Sequence, residues 1–137
     1  MTPVLTMVID DSRAMRLILK RIVAQLGFEV VEAANGKEAM DYLAGVLEAG
    51  DESKLPGLAL VDWNMPEMNG LEFVTAIRAD QRLRNMTLMM VTTESEQSQI
   101  VRALASGAHE YVIKPFTPDA IIDKLTLLGL VPNGVAV

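Results

Sequence analysis

The 137-residue chain is long enough for one domain with a hydrophobic core, and half of its residues are apolar. Its net charge of −6 argues against a nucleic-acid-binding surface, because neutralising phosphates requires clustered lysine and arginine. The lack of cysteine excludes disulfides and thiolate metal sites and agrees with a cytoplasmic location. The apolar residues fall in short blocks, so the sequence predicts neither membrane insertion nor a signal peptide.

The N-terminal third begins with an apolar block at residues 4–9, which predicts a first strand that the run Asp10-Asp11-Ser12 ends. Ser12 is a suitable N-cap for an amphipathic helix over residues 12–26, and Gly27 is a typical C-terminal stop. Residues 28–33 predict a second strand, and residues 39–47 carry the apolar spacing of a second helix.

The middle of the chain contains its most informative stretch. Residues 50–57 are polar and predict a loop, after which residues 58–61 form an apolar run without alternation. Such a run indicates a strand that is buried on both faces of a parallel sheet. Asp62 follows this strand directly, and Pro66 with the Asn69-Gly70 pair then predicts a loop.

The last part of the chain continues the alternation. Apolar spacing predicts a third helix over residues 70–79 and a fourth strand over residues 86–92. A fourth helix over 94–106, a fifth strand over 110–113 and a fifth helix over 117–128 complete the predicted elements.

Five strands that alternate with five helices imply βαβ units, right-handed crossovers and a parallel sheet. The sequence therefore predicts an α/β doubly wound fold with helices on both faces. We expect residues 1–137 to form a single domain, with a core at about 4–128 and a short C-terminal tail from residue 130. No internal repeat or long linker is present.

Several reactive side chains follow the ends of these predicted strands. In a parallel sheet the carboxyl ends share one edge, where open α/β sheets place their chemistry. The side chains expected there are Asp10, Asp11, Asp62, Thr92 and Lys114. Three clustered carboxylates raise one another's pKa values unless a cation neutralises them, and hard oxygen ligands without histidine or cysteine suit Mg²⁺. Lys114 adds a charge that can pair with Asp62 or with an anion attached to it.

This set of residues is suited to phosphoryl chemistry. An aspartate beside a metal and a lysine can attack phosphorus and form an aspartyl-phosphate. The metal and the lysine would draw charge from the equatorial oxygens. The Thr92 hydroxyl could donate a hydrogen bond to the new phosphoryl group and draw its loop inward.

Five motifs together resemble those of response-regulator receiver domains, and the resemblance covers roughly residues 4–128. The motifs are Asp10-Asp11-Ser12, Val61-Asp62-Trp63-Asn64-Met65-Pro66, Asn69-Gly70, Val91-Thr92-Thr93-Glu94 and Tyr111-Val112-Ile113-Lys114-Pro115-Phe116. The resemblance implies a flavodoxin-like sheet with the strand order 2-1-3-4-5, an order that general accounts of this fold illustrate with a member of the same family.

The resemblance also implies a metal site and a phosphoacceptor. Asp62 would be the phosphoacceptor. Asp11, Asp62 and the backbone carbonyl of Asn64 would bind Mg²⁺, and Asp10 would act through a metal-bound water.

Further roles follow from the same resemblance. Thr92 and Tyr111 would form the switch pair, with the ring turning inward. The side chains of Asn64 and Glu94 would tune the lifetime of the phosphorylated state. The bond before Pro115 would be cis, which is possible because the trans preference of X–Pro bonds is only ~0.5–1 kcal/mol.

The function implied is a signalling switch rather than an enzyme, beyond accepting and hydrolysing its own phosphoryl group. A sensor histidine kinase or a phosphotransfer protein would supply the phosphoryl group, and a target protein would bind the fourth helix, fifth strand and fifth helix. Trp63 and the set Thr92, Glu94 and Tyr111 make the chain similar to stand-alone chemotaxis receivers. It departs from them in a longer 45–57 region and in the β-branched Thr93, which could slow access to the phosphoryl group.

Other interpretations stay open at this point. The same fold could be a phosphorylation-independent scaffold or a phosphate sink; a flavodoxin-like cofactor binder or a phosphohydrolase fits the residues less well. Arg13, Arg16 and Lys20 form a basic stripe on the first helix, which is either a solvated face or a docking site for an acidic partner. His109 has no ligand companion and is interpreted as a surface residue without a role in chemistry.

Overall fold

The computed structural model describes residues 4–130, so most of the predicted tail lies outside the described residues. Strands and helices alternate throughout this range. In chain order they are β1 (Leu5–Ile9), α1 (Arg13–Ala24), β2 (Glu29–Ala33), α2 (Gly36–Ala49), β3 (Leu58–Val61), α3 (Gly70–Ala79), β4 (Thr87–Thr92), α4 (Gln97–Ser106), β5 (Glu110–Ile113) and α5 (Pro118–Leu127). None of these helices combines the length and apolar character that crossing a bilayer requires.

The strands form one parallel sheet in the order β2-β1-β3-β4-β5, which confirms the predicted fold class and strand order. Helices α2, α3 and α4 cover one face of the sheet, and α1 and α5 cover the other. Every residue of β3 is buried, because this central strand is covered on both faces as its unbroken apolar run predicted.

The connection between α2 and β3 differs from the predicted loop. Helix α2 runs on to Ala49 and ends at Gly50, whose φ of 71° suits glycine. A short 3-10 helix, Glu52–Lys54, follows it. The Tyr42 hydroxyl donates to the carbonyl oxygen of Lys54 at 2.9 Å and fastens this segment to α2.

A buried hydroxyl lies in β1. Thr6 is fully buried beneath the α1/α5 face, and among the described residues its hydroxyl oxygen has no hydrogen-bond partner. Burying an unpaired hydroxyl costs ~1–3 kcal/mol, and valine has nearly the same shape without the polar atom.

We therefore expect Thr6→Val to raise the free energy of unfolding by ~1 kcal/mol, since it removes this unpaired group. Urea unfolding of the two proteins measures the difference. Thr126→Val is the control, because the Thr126 hydroxyl donates to the carbonyl oxygen of Ile122 at 2.8 Å. Equal or lower stability for Thr6→Val would contradict the prediction.

Arg78, in α3, joins three segments at the edge of the sheet where the strands begin. Its guanidinium donates to three backbone carbonyl oxygens, those of Gly107, Arg84 and Met86, at 2.7–3.0 Å. It also lies 3.0 Å from Nδ1 of His109, which accepts from the backbone N–H of Leu88 at 3.1 Å. His109 is exposed as predicted, but its ring nitrogen is part of a structural network.

The histidine must be neutral to play this part, since two donors point at Nδ1. Burial, and then the positive charge of Arg78, lower the pKa of His109. The unfolded chain, with an ordinary pKa of about 6.5, therefore binds the proton more readily than the folded one. The stability that neutral His109 contributes is fully present above about pH 6.5 and declines as the pH falls through and below that value.

We expect the His109→Asn variant to lose less stability than the wild type between pH 7.5 and 5.5, because asparagine keeps an acceptor oxygen but does not titrate. Urea unfolding at a series of pH values measures this. Parallel curves for the two proteins would show that His109 does not titrate with folding.

Candidate functional site

The strand ends bring three carboxylates together at one edge of the sheet. Asp10 and Asp11 follow β1, and Asp62 follows the adjacent strand β3. One oxygen from each can be chosen so that all lie within 4.8 Å of one another. Asp10 and Asp62 are 1% and 6% exposed, whereas Asp11 is open to solvent. The predicted cluster of acids is therefore present, and it combines two buried carboxylates with one exposed carboxylate.

Asp10 is held at every polar atom of its side chain. The ammonium of Lys114 donates to its Oδ2 at 2.7 Å, and the backbone N–H of Ser12 donates to its Oδ1 at 2.9 Å. Lys114 lies farther from Asp62, with 3.6 Å between Nζ and Oδ2. The lysine thus reaches the site as predicted, but its closer partner is Asp10.

Asp62 is buried but weakly held. Its Oδ1 accepts only a long bond, 3.4 Å, from the backbone N–H of Asn64, and its Oδ2 has the 3.6 Å contact with Lys114. Both carboxylate oxygens therefore keep lone pairs for a new bond. Of the two buried acids, Asp62 is the one that is suited to react.

The loop after Asp62 is fixed by close packing. Gly70 begins α3 so near the backbone of Asp62 that a Cβ at this position would overlap the Asp62 carbonyl oxygen. The N–H of Gly70 donates to the Trp63 carbonyl oxygen at 3.0 Å, and Asn69 caps the helix reciprocally with Glu72. Trp63 is buried in the part of the core that lies on the α2, α3 and α4 side of the sheet. Its indole is therefore a reporter one residue from Asp62.

Thr92 and Tyr111 both bond the backbone of Glu94 in the β4–α4 loop, one at its N–H and the other at its carbonyl oxygen. The Thr92 hydroxyl, fully buried, accepts from the N–H of Glu94 at 3.2 Å, so its own proton remains for another acceptor. The Tyr111 hydroxyl donates to the carbonyl oxygen of Glu94 at 2.7 Å. Burial, then the charges of Glu94 and Asp62, raise the pKa of Tyr111 to about 12, which keeps the phenol a donor.

These two hydrogen bonds explain why α4 begins later than predicted. Helix α4 begins at Gln97 rather than at residue 94, because Glu94 is bonded to Thr92 and Tyr111 instead of to the helix. The Tyr111 ring, only 8% exposed, is directed inward in this structure. The peptide bond between Lys114 and Pro115 is cis.

One residue of the site was missed by the sequence analysis. Arg16 was assigned to a solvated or partner-binding stripe, yet its Nη1 donates to the Asp10 carbonyl oxygen at 2.7 Å. Its Nε donates to Glu32 at 3.1 Å, and Lys20 lies 3.8 Å from the same carboxylate. The only signal in the sequence was an acid at the end of the second strand, and helical spacing alone does not show that it faces Arg16.

Known proteins resemble this chain along most of its length. Residues 6–126 match the family described as response regulator receiver domain. Chemotaxis protein CheY1 of Helicobacter pylori (strain J99) is 41% identical over 123 residues, which span 89% of this chain and 94% of that protein. A chemotaxis protein CheY homolog of Campylobacter jejuni is 42% identical over 120 residues, which span 87% of each chain.

The fold comparison agrees with the sequence comparison. The structure of Vibrio cholerae chemotaxis protein CheY4 has a TM-score of 0.78 and 29% identity, and the match spans 92% of this chain and 98% of that one. Proteins of this type are signalling proteins rather than conventional enzymes. The family match and these relatives, together with the strand order and the edge cluster, show that the chain belongs to the response regulator receiver domain family.

Proposed function

We propose that this protein is a response regulator in which Asp62 accepts a phosphoryl group from a phosphohistidine of a sensor kinase or a phosphotransfer protein. The observation that carries the proposal is the pairing of a buried, weakly bonded Asp62 with the ion pair of Asp10 and Lys114. An Asp62 oxygen would form the new bond to phosphorus while the bond from phosphorus to the histidine nitrogen breaks. The electrons of that bond would stay on the imidazole.

The donor set fits Mg²⁺. Three carboxylates have oxygens within 4.8 Å of one another, and among the described residues this group includes no histidine or cysteine. Such hard oxygen ligands are those that this ion prefers. Asp11, Asp62 and the carbonyl of Asn64 would hold the ion, with Asp10 acting through a water. Bound Mg²⁺ supplies charge neutralisation for the transferred group. Lys114 would supply a second positive charge close to Asp62.

The switch we propose uses Glu94, whose backbone N–H bonds Thr92 and whose carbonyl oxygen bonds Tyr111. The Thr92 proton would bond to a phosphoryl oxygen on Asp62, and this would bias the position of the β4–α4 loop. The bond from Tyr111 to the Glu94 carbonyl oxygen would transmit that bias to β5. Asn64 is exposed and Glu94 is half-buried; their side chains would set the access of water to the phosphoryl group and thus the lifetime of the phosphorylated state.

The surface of α4, β5 and α5 is the proposed contact for a target protein. Val101, Leu104 and Ile113 are apolar yet 41–57% exposed on these elements. Exposed apolar side chains that form a contiguous patch are typical of protein interaction sites. The chemotaxis names of the relatives favour a chemotaxis pathway for the signal. The cytoplasm is the proposed location of this protein.

We expect Tyr111→Phe to lower the free energy of unfolding by ~1 kcal/mol, because the Glu94 carbonyl loses its donor. The variant should still accept a phosphoryl group on Asp62, since the ring is not part of the acid cluster. Urea unfolding and a phosphorylation assay measure the two effects. Loss of phosphorylation would contradict the assignment of Tyr111 to the switch instead of to the chemistry.

Fluorescence of Trp63, the only tryptophan, tests the function. Mg²⁺ is added first and a small phosphodonor or beryllofluoride second, to the wild type and to Asp62→Asn. We expect a saturable change with Mg²⁺ and a further change with the donor that requires Mg²⁺ and is absent from the variant. No response to either ligand would instead favour a phosphorylation-independent scaffold.

A further inference from the structure

Arg16 is the one cation of the α1 stripe that is directed at the site. Its side chain is only 16% exposed, whereas that of Lys20, one turn further along the helix, is 50% exposed. Its guanidinium lies between the Asp10 carbonyl oxygen and the Glu32 carboxylate, at 2.7 and 3.1 Å. A planar guanidinium can bond in two directions at once in this way, and an ammonium cannot reproduce its geometry.

We propose that Arg16, braced by Glu32, is a positioning residue for the metal site: it fixes the peptide between Asp10 and Asp11 so that both carboxylates face Asp62. The inference rests on the proposed function, because it assigns the site to Mg²⁺. Arg16 itself binds neither the ion nor the phosphoryl group.

The backbone bonds of Asp10 show why its carbonyl matters. The N–H of Asp10 donates to the Ala33 carbonyl oxygen at 3.1 Å, and both of its carboxylate oxygens are bonded. The carbonyl oxygen is the remaining polar atom, and Arg16 binds it. Since a peptide unit is planar, fixing this oxygen also fixes the N–H and Cα of Asp11. Asp11 is exposed, so the direction of its side chain depends on the orientation of this peptide.

Glu32 holds the Arg16 side chain in place. It lies near the end of β2, and its carboxylate bonds Nε of Arg16 while Lys20 lies 3.8 Å away. Loss of Glu32 would leave Arg16 able to reach Asp10 but without a fixed rotamer. We therefore expect a weaker effect from Glu32 than from Arg16.

A positioning role for Arg16 and a purely electrostatic role predict opposite changes in Mg²⁺ affinity when Arg16 is removed. If Arg16 acted only through its positive charge, its removal would reduce repulsion and strengthen Mg²⁺ binding. If Arg16 positions the Asp10–Asp11 peptide, its removal weakens binding, and residues that orient metal ligands typically account for ~10–100-fold in metal affinity. Whether the removal of Arg16 weakens or strengthens Mg²⁺ binding therefore distinguishes the two roles.

The experiment titrates Mg²⁺ alone against Trp63 fluorescence in Arg16→Ala, Arg16→Lys and Glu32→Gln, with Lys20→Ala as the matched control. We expect the dissociation constant to rise ~10-fold in Arg16→Ala, to be only partly restored in Arg16→Lys, and to rise less in Glu32→Gln. Lys20→Ala removes a charge from the same helix without touching Asp10, and we expect no more than a twofold change.

Urea unfolding without Mg²⁺ accompanies each titration. Lower stability with an unchanged dissociation constant in Arg16→Ala would make the residue merely structural and overturn the inference, as would tighter binding. An equal weakening in Lys20→Ala would overturn it too. Wild type that binds no Mg²⁺ would instead refute the proposed function, and the inference with it. If Arg16→Ala does not fold, Arg16→Lys and Glu32→Gln decide by the same criteria.

Discussion

Replacement of Lys114 by methionine should lower the free energy of unfolding by ~3 kcal/mol in the absence of Mg²⁺, because it leaves a buried charge without its partner. The ammonium and the Asp10 carboxylate are 2.7 Å apart, with side chains only 12% and 2% exposed. The Asp10 carboxylate is too deeply buried for hydration to replace the lost ion pair. We expect Mg²⁺ to restore part of the loss, since a dication at the cluster neutralises the same carboxylates.

Urea unfolding with and without Mg²⁺ measures this effect, and Lys124→Met is the control. Lys124 pairs with Glu110 at 3.2 Å, but its side chain is 38% exposed, and exposed pairs contribute only ~0–1 kcal/mol. Equal losses of stability in the two variants would show that the buried ion pair stabilises the fold no more than the exposed pair does. A loss in Lys114→Met that Mg²⁺ leaves unchanged would contradict metal binding beside Asp10.

Asp62→Asn should have the opposite effect on stability while it abolishes phosphorylation. Three carboxylates with oxygens within 4.8 Å of one another repel, and Lys114 lies closer to Asp10 than to Asp62. Removal of the less paired charge should therefore raise the free energy of unfolding without Mg²⁺ by ~1–2 kcal/mol, at the dielectric that is usual near protein surfaces. Asparagine has the same shape, so packing changes little.

The same substitution should reduce the stabilisation that Mg²⁺ provides, because one ligand loses its charge. Unfolding in urea with and without Mg²⁺ measures both effects. The control is Asp123→Asn, which alters an exposed acid on α5 and should change stability by no more than ~0.5 kcal/mol. A less stable Asp62→Asn protein would mean that the cluster is not repulsive and that Asp62 has a structural role.

The order of the elements and the position of the site could be predicted because each depends on a local pattern. The apolar run of β3 places Asp62 at the carboxyl edge, and parallel pairing places Asp10 beside it. Neither conclusion needs the conformation of any side chain. The buried face of each helix follows in the same way from apolar spacing.

The pairings at the site could not be predicted because they depend on three-dimensional geometry. Whether Lys114 bonds Asp10 or Asp62 is decided by about an ångström, which no spacing in the sequence encodes. Arg16 has the helical phase of a surface residue, yet its length lets it reach back to the Asp10 carbonyl. The late start of α4 arises from the bond that Tyr111 makes to Glu94, seventeen residues away in the sequence.

The central claim is that Asp62 becomes phosphorylated, and the most direct test locates the covalent phosphate. The protein is incubated with Mg²⁺ and a small phosphodonor, the acyl phosphate is reduced with borohydride, and peptides are analysed by mass spectrometry. We predict that Asp62 is the modified residue, that modification requires Mg²⁺, and that Asp62→Asn is not modified at this position. Phosphate at another residue, or none under conditions in which Mg²⁺ binds, would contradict the account.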